Sequence, residues 1–217
     1  MRTTDPIGLD QFLAAYPQMA VRPSPGTHLR LKGTFAFCAE HGDHGRICDA
    51  FELLVEVPPS FPQDLPVVKE VAGRIPMRGE FHINGDRSLC LGSRLRLLLK
   101  LRAAPTLSGF AARCLVPYLY AISKKLRDGG KLVFGELAHY GSGMLADYAQ
   151  LLGLKVPDQV RGALALLGTK RRVANKLRCP CGCSLRLGRC KFNRRLAQFR
   201  RLASRTWFKR ELALAHT

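Results

Sequence analysis

The chain has 217 residues, 47% of them hydrophobic, which is enough to bury one substantial core and excludes disorder over the whole length. Its net charge is +19, and residues 171–217 hold fourteen lysines or arginines against one acid, Glu211. This concentration indicates either an acidic partner, such as nucleic acid or an acidic protein face, or a solvated tail that keeps the chain in solution.

We expect a cytoplasmic protein that does not enter membranes. The N-terminal segment lacks the apolar stretch of a secretion signal, and no apolar run approaches the ~20 residues that span a bilayer. In a reducing compartment, the eight cysteines are not expected to form a disulfide framework.

The first half of the chain predicts a helix followed by an antiparallel meander of three or four strands. Residues 7–17 have the pattern of a short amphipathic helix. Residues 29–39 and 48–57 alternate apolar and polar side chains, which is the period of a half-buried strand. The prolines of residues 58–66 impose an extended segment, and residues 67–73 form the next strand.

The second half has helical spacing throughout. Thr106, after Pro105, and Ser142 are candidate N-caps, since a side-chain oxygen at that position satisfies a free backbone N–H. The predicted helices cover residues 93–101, 106–126, 141–154, 157–168 and about 190–215. Strands followed by helices predict an α+β fold.

Four short motifs occur in order between residues 58 and 92. Phe61–Pro62 and Leu65–Pro66 lie in the proline segment, and His82, Ile83 and Asn84 precede the triplet Leu89–Cys90–Leu91. Together they resemble the central part of ubiquitin-conjugating enzymes, in which a Tyr/Phe-Pro-x-x-Pro segment, His-Pro-Asn and an apolar-Cys-Leu triplet follow one another. The resemblance implies an antiparallel meander flanked by helices, with Cys90 as the residue that forms a thioester.

The chain departs from that family at two places. Ile83 replaces the proline of His-Pro-Asn, and the loop from Asn84 to Cys90 is shorter than usual. In these two respects the chain resembles the bacterial conjugating enzymes that are found in anti-phage defence operons of the short type II CBASS form. The resemblance implies that a flexible protein C-terminus, from a nucleotide cyclase or a ubiquitin-like modifier, is joined to an acceptor amine, with lysine as the default.

Each candidate catalytic residue has a structural alternative. Cys90 is either the nucleophile or an inert buried thiol. Asn84 either donates a hydrogen bond to the oxyanion of the tetrahedral intermediate or braces the turn. Asp86 either orients or deprotonates the incoming amine or belongs to the turn, and His82 is mainly structural in the parent family.

Other residues near the motif have predicted roles. Arg87 and Arg94 would favour the thiolate form of Cys90 by their positive charge. His139, before two glycines, either lines the cleft or ends a helix. The remaining cysteines of the body are expected to be packing residues, and these are Cys38, Cys48 and Cys114.

A second cysteine group lies near the C-terminus: Cys179, Cys181, Cys183 and Cys190 fall within twelve residues. Four thiolates can hold one zinc ion tetrahedrally, and the neighbouring glycines allow tight turns. The string "CPCG" resembles the SEC-C metal-binding motif, whose fourth ligand position is occupied here by Lys191. Cys183 is the replacement, although a ligand from elsewhere remains an alternative. We expect a structural zinc site.

We therefore predict a conjugating-enzyme-like catalytic domain at 1–168 and a basic, cysteine-rich region at 169–217. One alternative function is a nucleic-acid-binding module that uses the metal knuckle and the arginine-rich helix. Four aromatic side chains either stack on bases or form the core stripe of a helix, namely Phe192, Phe199, Trp207 and Phe208. The other alternative is a non-catalytic scaffold of the same fold.

Overall fold

The computed structural model describes Asp5, residues 7–133 and residues 140–216, with the backbone alone for residues 140–142. Helices and strands occur in the expected order. They are α1 (Leu9–Ala15), β1 (Met19–Arg22), β2 (Leu29–Glu40), β3 (Arg46–Val57), β4 (Val67–Glu70), α2 (Arg94–Leu101), α3 (Leu107–Phe110), α4 (Val116–Asp128), α5 (Tyr140–Leu152), α6 (Pro157–Gly168), α7 (Arg171–Ala174), α8 (Phe192–Phe199) and α9 (Arg205–Leu214).

The four strands form one antiparallel sheet in the order β1-β2-β3-β4, so the predicted α+β class and meander are confirmed. Strands β2 and β3 pair along their whole length, from Leu29 opposite Val57 to Glu40 opposite Arg46. On β3 the alternate residues point into the core, as the sequence predicts, because successive side chains of a strand face opposite sides. Strand β1 has only four residues, which is too short for alternation to identify.

Helix α4 packs against β2 and β3 and covers the buried face of the sheet. Leu119 and Ile122 of this helix are fully buried, as is Phe35 of β2. The predicted cap at Thr106 is confirmed, because its Oγ1 accepts a hydrogen bond from the backbone N–H of Gly109 at 3.1 Å. One turn of π-helix, Ala111–Leu115, joins α3 to α4.

The described residues divide into two compact units. The first comprises the residues up to Gly92 and those from Leu99 to 133, and the second comprises Ser93–Leu98 and residues 140–216. The unit that contains the cysteine cluster is therefore larger than the predicted region 169–217. The reason is that α6 packs against α5 and α9 and shares their core.

The C-terminal helix is interrupted, contrary to the prediction of one continuous helix over residues 190–215. Helix α9 begins anew at Arg205 because the side chain of Ser204 accepts a hydrogen bond from the N–H of Trp207 at 3.1 Å. A second prediction was also wrong, since Ser142 lies inside α5 rather than ahead of it.

Cys38 and Cys48 form a disulfide, so the prediction that both are packing residues was wrong. They lie directly opposite each other on β2 and β3, with their Cα atoms 4.0 Å apart, on the exposed face of the sheet. The third body cysteine, Cys114, is buried as predicted, and burial raises the pKa of its thiol to about 11.

None of the described helices combines the length and the apolar character that a bilayer crossing requires.

A close backbone approach at Gly33 makes the sheet sensitive to a single substitution. A Cβ atom placed there would lie 2.0 Å from the carbonyl oxygen of Gln18. We predict that Gly33→Ala lowers the free energy of unfolding by more than about 1 kcal/mol, because the β1–β2 pairing has to shift. Urea denaturation measures the change.

The matched control is Gly26→Ala, because a Cβ atom at Gly26 meets no atom within 4 Å. Its unfolding midpoint should stay within error of the parent value. Equal effects of the two substitutions would contradict the close approach at Gly33.

Candidate functional site

Cys90 follows a small hairpin in which Ile83 bridges to Leu89. The N–H of Leu89 donates to the carbonyl of Val68 on β4 at 2.8 Å, and the N–H of Cys90 donates to the carbonyl of His82 at 2.8 Å. These bonds fix the backbone at Cys90 and at the residue before it. The Cys90 side chain is partly exposed, in contrast to the buried Cys114.

His82 supports the hairpin through its backbone. It adopts a left-handed conformation with φ 51°, and its N–H donates to the carbonyl of Gly79 at 2.8 Å. The hydroxyl of Tyr118 donates to the carbonyl of Phe81 at 2.8 Å and ties the segment to α4. Burial, with smaller contributions from the charges of Cys90 and Glu70, raises the pKa of Tyr118 well above its ordinary value. Sequence reasoning missed Tyr118, because nothing in its helical pattern singles it out.

The loop between His82 and Cys90 closes around Ser88, which sequence reasoning also missed. Its Oγ accepts from Nδ2 of Asn84 at 2.9 Å and donates to Oδ1 of Asp86 at 2.6 Å. The backbone N–H of Ser88 reaches the same carboxylate oxygen at 3.0 Å. In this conformation Asn84 braces the turn, and its amide would have to leave Ser88 to reach an oxyanion.

Asp86 is an exposed carboxylate that these bonds keep ionised. The hydrogen bonds from the side chain and backbone of Ser88, together with the positive charge of Lys69, hold its pKa below the ordinary value. Lys69 Nζ lies 3.7 Å from Asp86 Oδ2. A carboxylate with a lowered pKa can orient an amine by accepting its N–H, but it is a weaker base than an ordinary aspartate.

Three more residues were given predicted roles near Cys90, and each has a different location. Arg87 lies in the hairpin, is exposed and has φ 66°. Arg94 belongs to the second unit, where its Nε lies 3.3 Å from Oε1 of the buried Glu211, and its effect on Cys90 stays a prediction. His139 lies outside the described residues.

A pocket lies beside the hairpin. Its lining includes Ile83 and Arg87 of the hairpin together with Ile75 and Met77. Glu70 also lines it, and its carboxylate accepts a hydrogen bond from the N–H of Ala72 at 2.9 Å. The pocket therefore combines apolar side chains with one cation and one carboxylate.

The four C-terminal cysteines converge as predicted. Their Sγ atoms all lie within 4.8 Å of one another. Cys179 and Cys181 are separated by 3.2 Å, Cys181 and Cys190 by 3.6 Å, and Cys183 and Cys190 by 3.5 Å. Sulfur ligands of a tetrahedral ion with bonds of ~2.3 Å lie about 3.8 Å apart. The cluster can therefore hold a metal ion, with Cys183 rather than a distant residue as the fourth ligand.

A short hairpin presents the first three of these cysteines. The N–H of Cys179 donates to the carbonyl of Leu185, and the N–H of Leu187 donates to the carbonyl of Leu177, each at 2.8 Å. Gly182, with φ 88°, allows the chain to reverse between them. Cys190 then follows a turn of 3₁₀ helix and joins from the other side.

Backbone N–H groups point at two of the sulfurs. The N–H of Phe192 donates to Cys190 Sγ at 3.4 Å. The N–H of Leu185 lowers the pKa of Cys183 to about 7, whereas burial raises the pKa of Cys179. Because a metal ion binds thiolates, such N–H groups favour the ligand form of the cysteines.

Of the two alternatives for the aromatic side chains of the tail, the core stripe is the one the structure supports. Phe199, Trp207 and Phe208 are buried, and Phe192 is half-buried. The three buried side chains lie in the core of the second unit together with Leu196.

Comparison of the chain with protein-family models, with curated proteins and with solved structures finds no match. The geometry of the Cys90 hairpin and of the cysteine cluster is therefore the basis for a functional conclusion.

From the geometry of the four C-terminal cysteines, we predict that each chain binds one metal ion. We expect Cys179→Ser to lose the ion, because three thiolates and a hydroxyl bind far more weakly than four thiolates. The melting temperature should fall by roughly 2–4 °C for each kcal/mol of stability lost. Elemental analysis and calorimetry of the purified protein measure both quantities.

The matched control for this substitution is Cys90→Ser, which should keep the full metal content. A metal-free parent protein that unfolds at the same temperature as Cys179→Ser would rule out the site.

The hydrogen bond from the Ser88 hydroxyl to Asp86 should make a pH-dependent contribution to the stability of the protein. We expect Ser88→Ala to raise the pKa of Asp86 part of the way to its ordinary value, since one of its donors is removed. Because the folded pKa is the lower one, this interaction stabilises the protein above about pH 4 and is lost as pH falls through that pKa. NMR titration of the carboxyl carbon measures the shift.

Lys69→Ala provides the comparison and should raise the same pKa by less, because the lysine contributes less than Ser88. A pKa that is unchanged in Ser88→Ala would contradict the hydrogen bond.

Proposed function

We propose that the protein is a cysteine-dependent conjugating enzyme. Cys90 carries the C-terminal carbonyl of another protein as a thioester and passes it to an amine, with lysine as the default acceptor. The observation that carries the proposal is a partly exposed thiol on a backbone whose N–H groups donate hydrogen bonds to the carbonyls of Val68 on β4 and of His82. The motifs around it are those that resemble ubiquitin-conjugating enzymes, and they follow an antiparallel meander as in that family.

The proposed reaction has two steps. In the first, the Cys90 thiolate attacks the activated carbonyl carbon, a C–S bond forms, and the leaving group of the donor departs with the electron pair. In the second, the acceptor amine attacks the same carbon, a C–N bond forms, and Cys90 leaves as the thiolate. The chain has no dinucleotide-type glycine fingerprint, so we assign activation of the carbonyl to a separate enzyme.

Three neighbours of Cys90 have proposed roles in these steps. Asp86 accepts a hydrogen bond from the incoming neutral amine and orients it, and the proton that the amine nitrogen loses as the C–N bond forms passes to solvent water. Asn84 stabilises the oxyanion after its amide turns away from Ser88. His82 positions Cys90 through the backbone hydrogen bond of 2.8 Å.

The pocket beside the hairpin supports a path for the donor. A flexible C-terminal tail has to lie extended so that its last carbonyl reaches the thiol. Ile83, Ile75 and Met77 give apolar contacts to such a tail, and Arg87 gives one positive charge. We propose that the tail of a nucleotide cyclase or of a ubiquitin-like modifier uses this pocket.

We propose zinc as the ion of the cysteine cluster, because four thiolates are the commonest ligand set of structural zinc. A site closed by four thiolates has no open position for a substrate. The ion would therefore stabilise the hairpin of Cys179, Cys181 and Cys183 and contribute to folding rather than to catalysis.

We propose that the enzyme acts in the bacterial cytoplasm, in anti-phage defence. The support is the likeness of the shortened loop and of Ile83 to the conjugating enzymes of short type II CBASS operons. The disulfide of Cys38 and Cys48 is unusual for a reducing compartment. Both cysteines lie on the exposed face of the sheet, within reach of cytosolic thiols.

The proposed acyl transfer predicts a covalent adduct with a defined chemistry. We expect a peptide that ends in a glycine thioester of mercaptoethanesulfonate to exchange onto Cys90 and release the small thiol. Intact-mass and peptide-level mass spectrometry should locate the acyl group on Cys90. The adduct should be removed by dithiothreitol and by free lysine, with lysine giving the peptide amide.

Cys114 is an internal control for the same reaction, because its buried thiol has a pKa of about 11 and should stay free. Cys90→Ser should form no dithiothreitol-sensitive adduct while keeping its metal and its fold. An adduct of equal yield in Cys90→Ser would contradict the proposal and favour a scaffold role.

A further inference from the structure

The surface of the C-terminal segment carries charge of one sign. Of the fourteen lysines and arginines in residues 171–217, thirteen are exposed and only Arg200 is half-buried. The single acid of this segment, Glu211, has no exposed surface. We call the thirteen exposed side chains the basic surface, and they are Arg171, Arg172, Lys176, Arg178, Arg186, Arg189, Lys191, Arg194, Arg195, Arg201, Arg205, Lys209 and Arg210.

Two arginines of the basic surface lie directly opposite each other. Arg178 and Arg186 form the bridge of the cysteine hairpin, and both side chains are exposed. Like charges in such positions destabilise a pair of strands. No acid occurs between residues 171 and 210 to offset them. The hairpin therefore tolerates a repulsion that an anionic ligand would relieve.

A second pair of like charges involves helix α7. The charge of Arg171 is close enough to Arg200 to lower the pKa of that guanidinium, after the larger effect of burial. The two guanidinium groups repel each other, and Nη2 of Arg200 is held by the carbonyl of Leu166 at 2.8 Å. A second pair of cations is thus kept together without an anion from the segment itself.

We propose that the basic surface binds the phosphate backbone of double-stranded nucleic acid. Ten of its thirteen cations are arginines, whose planar guanidinium donates two parallel hydrogen bonds to a phosphate. Among the described residues of this segment no phenylalanine or tryptophan is exposed, since Phe199, Trp207 and Phe208 are buried and Phe192 is half-buried, and this disfavours a stacking platform for unpaired bases. Recognition is therefore of the backbone and independent of base sequence.

A lipid surface fits the same charges less well. Binding in a bilayer interface needs a helix with an exposed apolar face. Most large apolar residues of α8 and α9 are buried in the unit instead, as Leu196, Phe199 and Trp207 are, and only Leu214 at the end of α9 is exposed. Leu177 and Leu185 are exposed beside the arginine pair, and lipid would use them whereas a phosphate backbone would not.

The test measures binding of the full chain to a fluorescein-labelled, mixed-sequence 20-base-pair duplex between 50 and 300 mM KCl. We expect binding that weakens steeply with salt. Arg178→Ala with Arg186→Ala should lower the magnitude of the slope of log K against log salt by about 2 and weaken binding by roughly tenfold or more at 100 mM. A second pair, Arg171→Ala with Arg172→Ala, should act in the same direction.

The matched control is Arg46→Ala with Arg102→Ala, which removes two exposed arginines from the first unit. It should bind the duplex as the parent does, as should Leu177→Ser with Leu185→Ser. Cys90→Ala should also bind unchanged, so that this inference and the proposed acyl transfer can fail separately. Metal content and circular dichroism of each variant establish that it is folded.

Three results would overturn the inference. The first is no binding of the duplex at 50 mM KCl. The second is equal weakening by the control pair and the Arg178 and Arg186 pair. The third is tighter binding of polyglutamate, or of phosphatidylserine vesicles, than of the duplex, which would assign the surface to an acidic protein or a membrane.

Discussion

The hydrogen bond from the N–H of Leu89 to the carbonyl of Val68 holds the backbone next to Cys90 and so fixes where its thiol lies. Strand β4 is at the edge of the sheet, and this bond uses one of its carbonyls to hold the returning chain. The next N–H, that of Cys90, then meets the carbonyl of His82, so two consecutive residues are fixed by the backbone alone. A nucleophile held in this way needs no large side-chain reorganisation to meet an acyl donor, which is the condition for positioning to assist the reaction. In the hairpin that precedes Cys90, residues 84–87 are exposed.

The second unit is held together by the packing of its helices. Its core is formed by α5, α6, α8 and α9 together, so the cysteine cluster stabilises one hairpin on an already substantial core. Two buried carboxylates anchor Ser93–Leu98 to this unit: Asp147 binds Ser93 and Arg96, and Glu211 binds Tyr148 and lies 3.3 Å from Arg94. Thirteen of the fourteen cations in residues 171–217 are exposed, whereas the single acid of that segment, Glu211, is buried, so the surface of the segment is positive.

The sequence predicted those features that depend on local pattern. Alternation identified β2 and β3, the side-chain oxygen of Thr106 identified a cap, and four cysteines within twelve residues identified the cluster. Features that depend on register or on distant partners were missed. The disulfide is one, although Cys38 and Cys48 are each five residues from Asp43 at the turn, a symmetry that places them opposite each other in a hairpin. The use of Ser88 as the centre of the loop is another, because only the folded turn brings Asn84 and Asp86 to one hydroxyl.

The central claim is that Cys90 is a reactive thiol and not a packing residue. Its most direct test is the rate at which each free cysteine of the folded, metal-loaded protein reacts with iodoacetamide at pH 7.5, resolved by peptide mass spectrometry. The account predicts rapid modification of Cys90, protection of the metal-bound cluster, and no modification of Cys114, which is 2% exposed. A Cys90 that is as unreactive as Cys114 until the protein is unfolded would contradict it.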